Sequence, residues 1–156
     1  MALMGAACAL LLVLTTLVHY EALRGLSVAL PRLRLPSRAK LIVVIIGSFA
    51  AHIAEVALYA VAIYALARWF GAGTLGSMPV PSLDMSLYFS AETYSSLGYG
   101  DVVPHGPLRM LAGLEALNGL LLIGWSASYV YVAMERFWNV EPAQGFSERA
   151  PNNVRT

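Results

Sequence analysis

The chain has 156 residues, of which 58% are hydrophobic and only 12% are charged, against about 25% charged in a soluble domain. Those proportions point to a membrane protein, and the elements taken in order below make it an all-α one. The net charge of +1 says little by itself, and a single cysteine, Cys8, excludes an intrachain disulfide.

Residues 2–20 are apolar and carry no charge before Glu21. A secretory leader needs a basic start, and no Lys or Arg precedes Arg24, so an extra transmembrane helix is expected over 1–23. Arg24, Arg32, Arg34, Arg38 and Lys40 follow, with no acid between them. Pro31 and Pro36 disfavour a continuous helix, so 24–40 reads as a basic loop. The positive-inside rule places it in the cytoplasm, with the N-terminus outside. The same five bases are candidates for contact with anionic lipid.

Leu41 to Phe70 is a second apolar stretch. At ~1.5 Å per residue it spans ~45 Å, more than a ~30 Å hydrocarbon core, so it must tilt or project. Trp69 and Phe70 fall where an outer aromatic belt belongs. The uncharged segment 71–83, with Pro79 and Pro81, reads as an outer loop. Ser82 or Asp84 then caps a short helix over 83–95. It is too short to cross a bilayer, and a helix that stops at membrane depth needs protein or water around its end. The partial negative charge at that end favours a cation. A long apolar helix is expected over 108–138, with Arg136 returning it to the cytoplasm. Pro142, Gly145, Pro151 and the pair Asn152-Asn153 make 139–156 a flexible cytoplasmic tail. No segment repeats Arg or Lys at every third position, so no voltage sensor is expected. Nor is a nucleotide- or calcium-binding domain.

Between the short helix and the last long one lies Ser96-Leu97-Gly98-Tyr99-Gly100-Asp101. Successive carbonyls of an ordinary strand point to opposite sides. To aim a row of them at one axis, residues must alternate between right- and left-handed conformations, and Gly adopts the left-handed one without a steric penalty. Four such rows around an axis make stacked cages of oxygen that replace a cation's hydration shell.

This stretch, with a short helix before it, an apolar helix after it and Pro104 three residues past Asp101, resembles the T-V-G-Y-G-D filter of the potassium-channel pore family. The resemblance covers roughly 41–138: outer helix 41–70, pore helix 83–95, filter 96–101 and inner helix 108–138. It implies three transmembrane helices, a re-entrant pore helix and a homotetrameric pore in which one chain supplies one quarter. It also implies passive conduction of K+ ions coordinated by Ser96, Leu97, Gly98 and Tyr99, with no catalysis, in a plasma or inner membrane. Ser96 replaces Thr, keeping the hydroxyl, and Leu97 replaces Val. A weakly selective monovalent cation channel is therefore the alternative. A non-conducting regulatory membrane subunit and a proton-coupled carrier are the rivals from other classes.

The resemblance assigns filter support to Gly100, Asp101 and Glu92. Glu92 is expected to approach Asp101 behind the filter, with one of the two carboxyls protonated. Tyr88 and Phe89 stand where some members carry tryptophans, and Phe89 has no hydrogen to donate. Gly119 and Gly124 fall on the family's two inner-helix glycines; Gly119 reads as a hinge and Gly124 as a packing contact. Leu120, Ile123, Ala127 and Tyr131 share one helical face and are expected to line the cavity.

His52, Glu55, Glu115 and Asn118 are polar residues inside expected membrane spans, where such groups face other helices or water. With Trp69 and Pro107 level at the outer face, Glu55 lies ~21 Å down, Asn118 ~16 Å and Glu115 ~12 Å, at ~1.5 Å per residue. A bond between Glu55 and Asn118, joined by His52, is therefore expected. Glu115 is expected to reach Thr93 or Ser95. His52 and Glu55 alone are too few for a metal site. His19, nearer an interface, and His105, in the outer mouth, receive no role.

Overall fold

The computed structural model describes residues 2–77 and 80–138. The tail expected over 139–156, and Pro79 of the outer loop, lie outside the described residues. Four helices account for most of the rest. α1 spans Ala2–Ala29, α2 Ser37–Phe70, α3 Leu83–Tyr94 and α4 Leu108–Trp138. Three of them, α1, α2 and α4, are long and apolar enough to cross a membrane. A helix satisfies its own backbone polar groups, which is why apolar stretches of this length adopt it in lipid. α3 has 12 residues and stops part-way. The protein is an all-α membrane protein with three spanning helices and one short helix between the last two.

The connection between α1 and α2 is tighter than the prolines suggest. α1 continues to Ala29, so Arg24 lies on a helix, and a 3₁₀ turn over Leu30–Arg32 follows directly. α2 begins at Ser37 and takes Arg38 and Lys40 into its first turns. Pro31 opens the 3₁₀ turn and Pro36 stands just before α2 in extended conformation. At helix starts the missing proline N–H has no partner to lose.

α2 ends at Gly71, which turns left-handed at φ 56°. The Ala72 N–H then donates back to the Leu66 carbonyl at 3.1 Å, which satisfies one of the carbonyls that the helix end leaves open. Two residue pairs, β1 (Thr74–Leu75) and β2 (Pro104–His105), form an antiparallel ladder with Thr74 opposite His105. The ladder ties the segment after α2 to the segment before α4. Ser82 caps α3, its hydroxyl accepting the Met85 N–H at 3.4 Å.

Each spanning helix buries one stripe. On α1 it runs through Met4, Cys8, Leu11, Thr15, His19 and Leu23, at the spacing of one helical face. The main core joins Met4, Cys8 and Leu11 of α1 to Tyr59 and Ile63 of α2, Phe89 and Tyr94 of α3, and Leu108 and Leu111 of α4. A second cluster, Leu30, Val44 and Ala133, closes the opposite end. The N-terminal end of α1 therefore packs beside the C-terminal end of α2. α1 is built into the bundle rather than appended to it.

Candidate functional site

The end of α3 and the six residues after it form the site. Ser95 closes the helix, and the chain then takes positive φ at alternate residues: Ser96 at 57°, Gly98 at 52° and Gly100 at 81°. Sequence reasoning found the two glycines but not Ser96, because a serine gives no sign of left-handed backbone. The Glu92 carbonyl accepts the Leu97 N–H at 2.9 Å and the Gly98 N–H at 3.4 Å. The Glu92 side chain is buried, and its Oε1 accepts the Tyr99 N–H at 3.2 Å. One residue of α3 thus receives three successive backbone N–H groups of the segment.

Asp101 takes a different donor. Its Oδ2 accepts the Tyr88 hydroxyl at 3.0 Å. The expected pairing of Glu92 with Asp101 is absent among the hydrogen bonds of the described residues. The physical reason is that each carboxylate has a donor of its own, one on the backbone and one on Tyr88. Removal from water, and then the Asp101 and Glu92 carboxylates, raise the pKa of the Tyr88 hydroxyl well above the usual tyrosine range, so it keeps its proton to donate. The hydroxyl that Phe89 lacks is supplied one residue earlier. Leu97 and Tyr99 are 58% and 70% exposed, so the described residues leave most of each uncovered.

α4 meets the end of α3 at Gly119. A Cβ added there would stand 2.0 Å from the Tyr94 carbonyl oxygen, whereas one added at Gly124 meets nothing within 4 Å. Gly119, expected as a hinge, is therefore a packing contact, and Gly124, expected as a packing contact, meets nothing in its own chain among the described residues. Leu120, Ile123, Ala127 and Tyr131 are all exposed within the chain, on the face away from Leu122 and Ser126, which are buried.

The polar residues of the spans fall into three groups rather than one. Asn118 does not reach Glu55; its Nδ2 donates to Thr15 Oγ1 at 2.8 Å and to Tyr59 Oη at 3.1 Å. Glu115 accepts from Ser90, one turn earlier on α3 than the residues expected, and Ser90 also reaches the Val56 carbonyl. Glu55 gathers the third group. Its Oε1 lies 2.9 Å from His19 Nδ1 and its Oε2 lies 3.1 Å from His52 Nδ1. The Tyr94 hydroxyl also donates to Oε2. Ser126 Oγ closes the ring, 3.3 Å from His19 Nε2 and 3.1 Å from His52 Nε2. The missed member is His19. Its signal was available, since Thr15 and His19 continue the helical spacing of Cys8 and Leu11.

Comparison with known proteins agrees with this arrangement. Residues 40–136, more than half of the chain, match the family model described as an ion channel. The chain belongs to this family of potassium-channel-type pores. It is also similar to the inward rectifier potassium channel Kirbac3.1 of Paramagnetospirillum magnetotacticum, 34% identical over 76 residues. That alignment covers 48% of this chain and 26% of the relative, so the chain spans about a quarter of that protein's length. No solved structure matches significantly. Membership of an ion-channel family points to transport rather than catalysis.

The family match begins at residue 40, so α1 lies outside it, yet two of the three polar groups depend on α1 through Thr15 and His19. Of the five bases before the match ends its first turn, Arg24 pairs with Glu21 at 2.6 Å and Lys40 stands 5.5 Å over the Phe137 ring. Arg32, Arg34 and Arg38 are exposed.

Proposed function

We propose that four copies of this chain enclose a potassium-selective pore that passes K+ down its gradient. Ser96, Leu97, Gly98 and Tyr99 supply the oxygens that replace the ion's water, and Gly100, Asp101 and Glu92 hold them in place. The observation that carries this reading is the alternation of positive φ at 96, 98 and 100. That alternation is the backbone condition for a row of carbonyls on one side. A single row binds no ion well, so the reading requires a closed four-fold ring. The exposure of Leu97 and Tyr99 supports it, because a neighbouring copy would cover them.

On this reading Leu120, Ile123, Ala127 and Tyr131 line the cavity below the filter. The N-terminus lies outside and the C-terminus in the cytoplasm of a plasma or inner membrane. Arg32, Arg34 and Arg38, exposed at the cytoplasmic end, then face anionic headgroups, at about 1 kcal/mol per basic residue.

Bilayer recordings with potassium on one side and sodium on the other test the proposal. Unitary currents reversing near the potassium equilibrium potential are expected. Currents reversing near zero would replace it with the weakly selective channel that Ser96 and Leu97 suggest. Absence of unitary current from reconstituted tetramers would favour a regulatory subunit, and proton-dependent flux without unitary current a carrier.

A further inference from the structure

With Glu55 ionised, its group has one hydrogen too few. Four contacts join its members: His19 Nδ1 to Glu55 Oε1, His52 Nδ1 to Glu55 Oε2, and the two Nε2 atoms to Ser126 Oγ. Each needs a hydrogen between its atoms. A neutral imidazole carries one N–H and a serine one O–H. With Glu55 ionised and both rings neutral, three hydrogens serve four contacts. The Tyr94 hydroxyl stands beside both Glu55 Oε2 and His52 Nδ1, but its one hydrogen points to one of them and does not lie between the two. One lone pair faces another unless the group holds an added positive charge, and Glu55 and His19 are fully buried, so water cannot repair the fault.

We propose that His19, His52 and Glu55 form a binding site for a divalent transition-metal ion of the zinc class, which clamps α1 to the pore domain beside the end of α3. The donor atoms of the three residues lie within 4.8 Å of one another. Around one tetrahedral ion with bonds of ~2.1 Å, neighbouring donor atoms stand ~3.4 Å apart, so donors already in hydrogen-bond contact need open by only a few tenths of an ångström. The separations here are 2.9 Å from His19 Nδ1 to Oε1, 3.1 Å from His52 Nδ1 to Oε2 and 2.9 Å from His52 Nδ1 to Tyr94 Oη. Two imidazoles and a carboxylate suit zinc, cobalt or nickel rather than calcium or magnesium. The ion binds both rings through Nδ1, which fixes the hydrogen of each on Nε2. Ser126 Oγ, with two lone pairs, accepts both, and all four contacts are then satisfied. A ligating histidine ordinarily donates its other N–H in this way. The Tyr94 hydroxyl stands close enough to serve as a further ligand. His52, 17% exposed, is the side from which an ion enters. His19 supplies the third ligand, from a different helix.

The test uses the full chain purified in mild detergent, stripped with a chelator and titrated with Co2+. Visible ligand-field bands are expected, saturating at about one Co2+ per chain and bleached by Zn2+. Zn2+ is also expected to raise the thermal unfolding midpoint. His19→Gln should abolish the bands, and Ser126→Ala, which leaves every ligand in place, should weaken binding ~10–100-fold. His105→Gln, which removes the one other histidine of the chain, should change nothing. Absence of bands and of chelator-sensitive Zn2+ in the unmodified chain would overturn the proposal, leaving the group with a shared proton. Undiminished binding in His19→Gln would overturn it too. If that variant fails to fold, the Ser126→Ala shift decides.

Discussion

At Ser96 the backbone and the side chain have opposed requirements. A non-glycine residue at φ 57° bears a penalty of roughly 1–2 kcal/mol. Glycine would relieve it and remove the hydroxyl that, in the proposed pore, offers the lowest ion site an oxygen. Ser96→Gly and Ser96→Ala are both expected to lower single-channel conductance. Only Ser96→Gly should raise the thermal stability of the assembly, and equal conductance in all three channels would show the hydroxyl to be idle. Glu92 answers to a different measurement. Its carboxylate accepts the Tyr99 N–H, so Glu92→Gln keeps an acceptor there while Glu92→Ala leaves a part-buried donor unpaired. The alanine variant should lose about 1–3 kcal/mol relative to the glutamine variant, read as a lower unfolding midpoint in potassium. Gly98 and Gly100 were legible in the sequence because glycine advertises its freedom. The left-handed Ser96 was not, because the tertiary setting imposes it. The partner of Asp101 was misjudged for a related reason: a tyrosine hydroxyl thirteen residues away along the chain is found only once α3 has set its direction.

Between elements, the decisive contact is α4 against the end of α3. Gly119→Ala would drive a methyl into the Tyr94 carbonyl at 2.0 Å, against backbone that cannot swing aside. Gly124→Ala meets open space and should gain up to about 1 kcal/mol of helix propensity. Assembly yield is expected to collapse in the first and hold in the second; the reverse result would restore the hinge to Gly119. At the other end of α3, Ser82→Ala should cost about 1 kcal/mol of cap. The Ser82 hydroxyl, with the backbone N–H groups of Asp84 and Met85, also holds the Asp84 carboxyl below the usual range. A carboxyl lowered in the folded state stabilises above its ordinary pKa and stops doing so as pH falls through the lowered one. Ser82→Ala should therefore move the Asp84 titration upward, as read by NMR. The spans and the short helix were legible from apolar length and capping residues. The start of α2 was not, since Pro36 reads as a breaker until its place just outside the helix is known. The two-residue ladder between β1 and β2 is too short to leave any pattern.

For the whole molecule, the question is what α1 does outside the matched pore region. It is not a passive anchor, because Thr15 and His19 are fully buried and bonded to Asn118 and Glu55. Removing residues 2–29 would strip Glu55 of one imidazole and Asn118 of one acceptor at once. Leaving a buried hydrogen-bonding group without its partner costs about 1–3 kcal/mol, more for a charged one, whereas replacing both partners by apolar groups of like shape is often nearly neutral. Two chains separate the contributions. The truncated chain should give little or no tetramer by cross-linking and mass measurement in detergent. The same truncation carrying Glu55→Met and Asn118→Leu should recover a measurable fraction, because neither position then holds a polar group that has lost its α1 partner. Recovery of tetramer would place the requirement for α1 in the polar contacts. Failure of the compensated chain would place it instead in the apolar stripe of Met4, Cys8 and Leu11, whose cover over the core the substitutions do not replace. Full assembly of the uncompensated truncation would show that the pore domain stands without α1, and would end the claim that the helix belongs to the pore's foundation.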